Sequence, residues 1–362
     1  MSYDELSARS YVTALCRELC LKKAYSDVLE TIYIGGGTPS LLPDACLTQL
    51  FQYLRDNFSF SPSIEISLEA NPGTIDEPKV DALLSLGINR FSIGVQSFCD
   101  NELLTLGRIH TSGDSIRSLG MLKKAGLDNF SIDLIYGIPG QTMESWKQSI
   151  STALKFSPAH ISAYELTPEK GTPLYSAIEI DKIKMPDEES ILEMYDHAID
   201  YLTDHGYEHY EISNFALPGR RCMHNINYWE RGQYIGAGAG SHSFMNNMRS
   251  RNIKNIDKYI ETVNKGTIPE IESMRLTSEE ALKEFIFLGL RKREGINIGK
   301  IAPAAHLLTN EDTGLRTALM GASEELVDEG LIEIGRDHLR LTRKGIVLSN
   351  TVIVRLFEKL GL

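Results

Sequence analysis

The sequence predicts an α/β protein: a partial βα barrel followed by a small, mostly helical C-terminal unit. Three observations carry that prediction. Five β-rich runs alternate with segments whose apolar residues recur at helical spacing. The runs carry glycine or polar residues toward their ends, at the rim where βα barrels build their sites. From about residue 213 the pattern shifts to irregular segments and then to helices and short strands.

The first segment, YVTALCRELCLKKA, reads as a helix. TIYIGGG (31–37) is a strand running into glycines, followed by a helix in DACLTQLFQYLRDNF. IEISLEANP (64–72) precedes a helix over Val80–Leu86, and NRFSIGVQSF (89–98) precedes one over Ser115–Ala125. NFSIDLIYGIPGQT (129–142) leads into a helix over Glu144–Leu154, and HISAYELTP (160–168) closes the series. Regular spacing favours a full or partial barrel over an open doubly wound sheet. Glu69, Gln96, Asp133 and Tyr164 fall at or near the C-terminal ends of successive runs. The tail reads as a helix over 278–293, a helix over 322–329, strands LIEIG and HLRLT, and a final helix: the order of a winged-helix module. The expected division is 1–212 for the partial barrel, 213–274 for a connecting segment and 275–362 for the C-terminal unit.

Composition narrows the function. Net charge is −12, from 37 basic and 49 acidic residues, which disfavours a general affinity for nucleic acid. No apolar stretch is long enough to span a bilayer, and the N-terminus lacks the basic and apolar regions of a signal peptide. The expected compartment is the cytoplasm. Five scattered cysteines do not form a disulfide framework. Cys16 and Cys20 match the first two positions of CxxxCxxC, but the third is Lys23, and both lie in a helical pattern rather than a loop. They are read as helix cysteines, not metal ligands.

GGGTP after a strand allows backbone N–H groups to approach a ligand closely. It is neither a Walker loop nor GxGxxG. With TIYIGGGTPSLL, EISLEANPG, RFSIGVQSF, LGRIH, SIDLIYGIPGQT, SAYELTPEKGT, YEISNFA and HNINYW, the chain resembles the oxygen-independent coproporphyrinogen III oxidase-like family of radical S-adenosylmethionine (SAM) proteins, over essentially its whole length. HNINYW (224–229) points to the heme-chaperone branch, HemW, since the oxidases do not share that segment.

The resemblance implies a (βα)6 TIM-like radical SAM barrel. Gly36, Gly37 and Thr38 would meet the methionine end of SAM, and Arg108 its carboxylate. Glu69 and Gln96 would hydrogen-bond its ribose or amino group, with Asp133 and Ala163 lining the pocket. His224 would offer iron a nitrogen, and Tyr228 and Trp229 flat surfaces for a porphyrin. Arg220 and Arg221 would meet its propionates, with Cys222 and His242 as further ligand candidates.

The family's cluster motif CxxxCxxC is absent, and Met1–Glu5 align with the family's residues just after that motif. The expectation is a barrel without its first strand, either from a start set too late or in a natural cluster-free relative, and a 4Fe-4S cluster only in a form extended upstream. The implied function is heme uptake and transfer to an acceptor, such as a respiratory enzyme, with an electron donor wherever the cluster is present. The alternative is oxidative decarboxylation of coproporphyrinogen III.

Overall fold

The computed structural model describes residues 5–23, 28–298 and 312–362. Met1–Asp4, which the resemblance aligns just after the cluster motif, lie outside them. Helix α1 (Glu5–Lys22) precedes β1 (Val28–Ile34) and α2 (Asp44–Asn57). Next come β2 (Ser59–Ala70), α3 (Glu77–Ser85), β3 (Arg90–Gln96), α4 (Asp100–Thr105) and α5 (Ser112–Lys124). The series closes with β4 (Phe130–Tyr136), α6 (Met143–Leu154) and β5 (His160–Glu165). Strands β1 to β5 pair in chain order and in parallel, forming a curled half-barrel.

Parallel strands covered by helices are buried on both sides, so they read as near-continuous apolar runs. β3 is the clearest case, with Phe91, Ile93 and Val95 wholly buried. The helices start where the sequence supplies an acceptor. Thr111 and Thr142 close capping boxes at α5 and α6, and the Asp76 carboxylate accepts from Lys79 N–H at α3.

After β5, α7 (Pro173–Glu179) and α8 (Glu188–Asp204) lead to two short strands, β6 (Glu208–His209) and β7 (Asn214–Ala216). β7 pairs antiparallel with β5, so the main sheet runs past residue 212. Helix α9 (Met223–Trp229) is next, then β8 (His242–Met245), β9 (Met248–Asn252), α10 (Ile256–Asn264) and β10 (Glu270–Arg275). β8, β9 and β10 form an antiparallel sheet of their own.

The C-terminal unit holds α11 (Ser278–Gly289), β11 (Ile296–Asn297), α12 (Asp312–Asp328), β12 (Ile332–Ile334), β13 (His338–Leu341), α13 (Arg343–Val347) and α14 (Ser349–Leu360). Its three strands make a small sheet, and its helices share the main core with the half-barrel.

The glycine run GAGAG is structural. Glu18 and Lys22 on α1 are both buried and ion-paired at 2.8 Å. The Glu18 carboxylate also accepts from Gly238 N–H (2.7 Å), Asn252 Nδ2 (2.6 Å) and the Tyr259 hydroxyl (2.6 Å). Gly238, at φ +107, leaves no room for a Cβ against the Tyr11 hydroxyl. A buried ion pair persists only when its remaining hydrogen-bonding capacity is met, as it is here. Cys16, on the same helix, packs in a small core with Val12, Cys46 and Leu50, and burial pushes its thiol up to about 11. Cys20 is exposed.

Candidate functional site

The turn after β1 fits its rim because Gly35 has no side chain. A Cβ there would meet Tyr33 at 2.7 Å and the Glu69 carboxylate at 2.8 Å. Gly36 (φ +82) and Gly37 (φ +126) occupy the region that favours glycine. The Glu69 carboxylate, next to last on β2, accepts from Gly36 N–H at 3.0 Å and from the Tyr33 hydroxyl at 2.8 Å. Thr38 Oγ1 accepts from Asn71 Nδ2 at 2.9 Å. Asn71 and the Gln96 amide both crowd Gly94, where a Cβ would lie 2.9 Å from each.

Gln96 ends β3 with φ +67, a conformation that side-chain-bearing residues adopt only when their surroundings hold them. The structure therefore ties Gly36 to Glu69 beside Tyr33, and Thr38 to Asn71 near Gln96; motif reading left Tyr33 and Asn71 unassigned.

The other rim residues make none of these hydrogen bonds. Asp133 lies in the middle of β4, below the strand ends, and accepts from Ser92 Oγ (2.8 Å) and Ser131 Oγ (3.2 Å). Burial raises its pKa, and the charge of Glu69 acts in the same direction. Ala163 is packed into the main core, its N–H bonded to Ser213 O at 2.8 Å. Tyr164 is half exposed near the end of β5. Arg108 lies after α4, on the connection to α5. Among the described residues its guanidinium has no carboxylate partner, and desolvation alone lowers its pKa. A partly buried, unpaired guanidinium suits a carboxylate ligand.

HNINYW forms α9, which lies against β1. The His224 ring stacks on Tyr33 with centroids 5.0 Å apart and planes 19° apart. Its Nδ1 pairs with Thr31 Oγ1 and its Nε2 with the Tyr228 hydroxyl, both at 2.8 Å. Burial lowers the His224 pKa, keeping the imidazole in the neutral form that ligates metals. Tyr228, 38% exposed, meets Tyr234 edge-on at 4.6 Å. Trp229 is half-buried, and its indole N–H is buried without a hydrogen-bond partner.

Glu65 on β2 anchors the start of the helix. Its carboxylate accepts from the backbone N–H groups of Met223 and His224 (3.1 Å each) and from the Cys222 thiol (3.5 Å). Burial pushes that thiol up to about 12, which makes it a poor thiolate ligand at neutral pH.

Arg221 does not offer a free cation. It pairs with Glu208 (3.1 Å) and Glu294 (2.5 Å) and lies over the Tyr210 ring. Arg220 is exposed, and its carbonyl accepts from Arg90 at 3.1 Å. His242 is exposed at the start of β8. All five cysteines are free thiols, and among the described residues no group of three His, Cys, Asp or Glu side chains could hold a metal. The described residues thus do not supply the thiolates of an iron–sulfur cluster. No helix among them is long and apolar enough to cross a membrane.

A half-barrel of this order with a glycine turn after β1 is the architecture of a radical SAM protein. The Radical SAM superfamily matches residues 9–153, and the HemN C-terminal domain matches residues 276–348. The solved structure of coproporphyrinogen III oxidase (HemN) from Escherichia coli superposes with a TM-score of 0.82 at 22% identity, covering 98% of this chain and 84% of that one. That likeness is one of fold.

Sequence comparison is more particular. Heme chaperone HemW of Bacillus subtilis is 34% identical over 347 residues, 94% of this chain and 89% of that protein. The mouse protein named radical S-adenosyl methionine domain-containing protein 1, mitochondrial, is 32% identical over 92% of this chain and 76% of its own length. The chain belongs to the HemW family of radical SAM proteins.

Proposed function

We propose that this chain is a heme chaperone that takes up heme at α9 and passes it to an acceptor protein. The observation that carries the reading is the setting of His224. It is a neutral imidazole on a short exposed helix, stacked on Tyr33, with its Nε2 held only by the hydroxyl of half-exposed Tyr228. Turning that hydroxyl aside presents Nε2 to an iron, while Thr31 holds Nδ1 and so fixes the tautomer. The aromatic surfaces of Tyr228 and Trp229 suit a flat macrocycle.

SAM fits the neighbouring rim. Gly36 and Gly37 let the backbone approach it, Arg108 awaits a carboxylate, and Glu69 and Gln96 offer polar atoms to its ribose or amino group. In radical SAM proteins that cofactor, once reduced by a cluster, supplies a carbon radical. These rim residues would only bind and orient it.

Heme titration followed by the Soret band tests the reading. His224→Ala should weaken heme binding by about tenfold or more, the loss of a metal ligand, while Tyr228→Phe should retain or strengthen it. Equal affinity in wild type and His224→Ala would remove the basis of the proposal.

A further inference from the structure

The His224 ring begins a strip of aromatic contacts that leads away from β1. It meets Tyr228 edge-on at 4.8 Å, and Tyr228 meets Tyr234 edge-on at 4.6 Å. Tyr234 is bonded backbone to backbone with Phe244, at 2.9 Å in both directions. Two guanidinium groups lie over Phe244, those of Arg231 and Arg249, each 4.8 Å from the ring centroid. Arg249 Nη1 also donates to the Tyr234 hydroxyl at 3.3 Å.

A single carboxylate, Glu284, serves both arginines, at 3.0 Å from Arg231 and 2.6 Å from Arg249. The triplet keeps one unneutralised positive charge, half-buried at the end of the strip. Arg221, by contrast, is matched by two carboxylates.

The backbone of Arg231 supplies an independent observation. Arg231 N–H bonds to Tyr228 O (3.0 Å) and Gly232 N–H to Asn227 O (2.7 Å), the double bond of a Schellman cap on α9. Arg231 occupies its left-handed position, φ +56, where glycine is the usual residue. An arginine is a strained choice there unless its side chain is needed. That side chain reaches Glu284, Asn247 and Phe244.

We infer that Arg231 and Arg249 form the carboxylate-binding end of the porphyrin site, with the macrocycle lying along Tyr228 and Tyr234. The inference rests on the heme-binding reading and adds the subsite that recognises the ring's anionic edge. Guanidinium forks match carboxylates in a bidentate geometry, and a shared Glu284 leaves donors for them.

The test is titration with iron protoporphyrin IX and with its dimethyl ester, in the same detergent, read by the Soret band. Wild type should prefer the free acid by about tenfold, the size of one or two charge-assisted hydrogen bonds. Arg249→Gln and Arg231→Gly should each shrink that preference to about threefold. The double variant should show none. In Arg231→Gly the relieved backbone strain offsets the lost side-chain contacts, so it should melt close to wild type, and its melting curve separates a reduced preference from unfolding.

A double variant that keeps the wild-type preference, or a wild type that shows none, overturns the inference. Binding that depends on His224 while the preference ignores both arginines sinks the subsite and leaves the heme reading standing. Binding indifferent to His224→Ala, or no binding of either porphyrin, removes the reading and the subsite with it.

Discussion

Glu65 holds α9 against the sheet, and removing it should loosen the helix from its first turn. Its carboxylate satisfies two backbone N–H groups that a helix start leaves unpaired, those of Met223 and His224. Losing such an acceptor costs about 1 kcal/mol. The negative charge at a partly buried helix start contributes about 1 kcal/mol more. Arg90, only 3% exposed, lies 4.0 Å away and already has one Nη without a partner. Breaking a fully formed buried pair costs about 3–5 kcal/mol, and at this separation about 1 kcal/mol of that applies.

Glu65→Ala should therefore destabilise the protein by about 3 kcal/mol, while Glu65→Gln, which keeps one acceptor oxygen, should cost about half as much. Urea denaturation at neutral pH measures both, and hydrogen exchange of the α9 amides locates the effect. Heme affinity should fall in the same order, because His224 rides on the loosened turn. If both variants stay within about 0.5 kcal/mol of wild type, the ordinary range for surface changes, or if α9 amides keep their protection, the anchoring role is wrong.

Buried groups and backbone strain set three further outcomes. Glu211 is 1% exposed, and burial raises its pKa to about 7. Its folded-state pKa lies above the unfolded value, so its stabilising contribution is complete below about pH 4.3 and is lost as pH rises to about 7, some 3 kcal/mol in all. Glu211→Gln should flatten that part of the stability profile, and an unchanged slope would contradict the assignment. Gly236→Ala places a methyl group on the His242 carbonyl and should cost at least about 2 kcal/mol in thermal or urea unfolding. At Gln96, glycine should be more stable than alanine by about 1 kcal/mol, since φ is +67, and both variants should weaken SAM or S-adenosylhomocysteine binding in calorimetry.

The half-barrel was legible because its signals are local. β3 and β4 read as apolar runs since each is covered on both faces, and Thr111 and Thr142 mark helix starts three residues before their capping partners. Helix α8 had a comparable signal, Asp187 capping an amphipathic stretch, and motif reading passed over it. The β8–β9 hairpin was harder. Its turn is Asn246-Asn247, both with positive φ, where an Asn-Gly pair would have announced it. β10 is exposed along its whole length, so no alternation marks it.

At the site, motifs suggested single residues but not the connections between them. Tyr33 reads as an apolar strand residue in TIYIGGG, and only the fold places its hydroxyl on Glu69 and its ring on His224. The RR pair before α9 looked like the natural propionate partner. The acids that neutralise Arg221 come from 13 residues upstream and 73 residues downstream, which no local reading could supply.

These connections also explain why HNINYW is a short, tightly held helix rather than a flexible loop. Its first turn is anchored by Glu65 and its last by the Schellman cap at Arg231. Between those ends, His224 is fixed on three sides: Thr31 at Nδ1, Tyr33 across the ring face, and its own N–H on Glu65. The fourth contact, from the half-exposed Tyr228 hydroxyl to Nε2, comes from α9 itself and not from the sheet. A site that must take up a ligand and later release it needs a rigid frame with one contact that exchanges. If α9 takes up heme as proposed, Tyr228 is that contact. The face it guards adjoins, through Tyr33, the same Glu69 that orders the glycine turn of the rim.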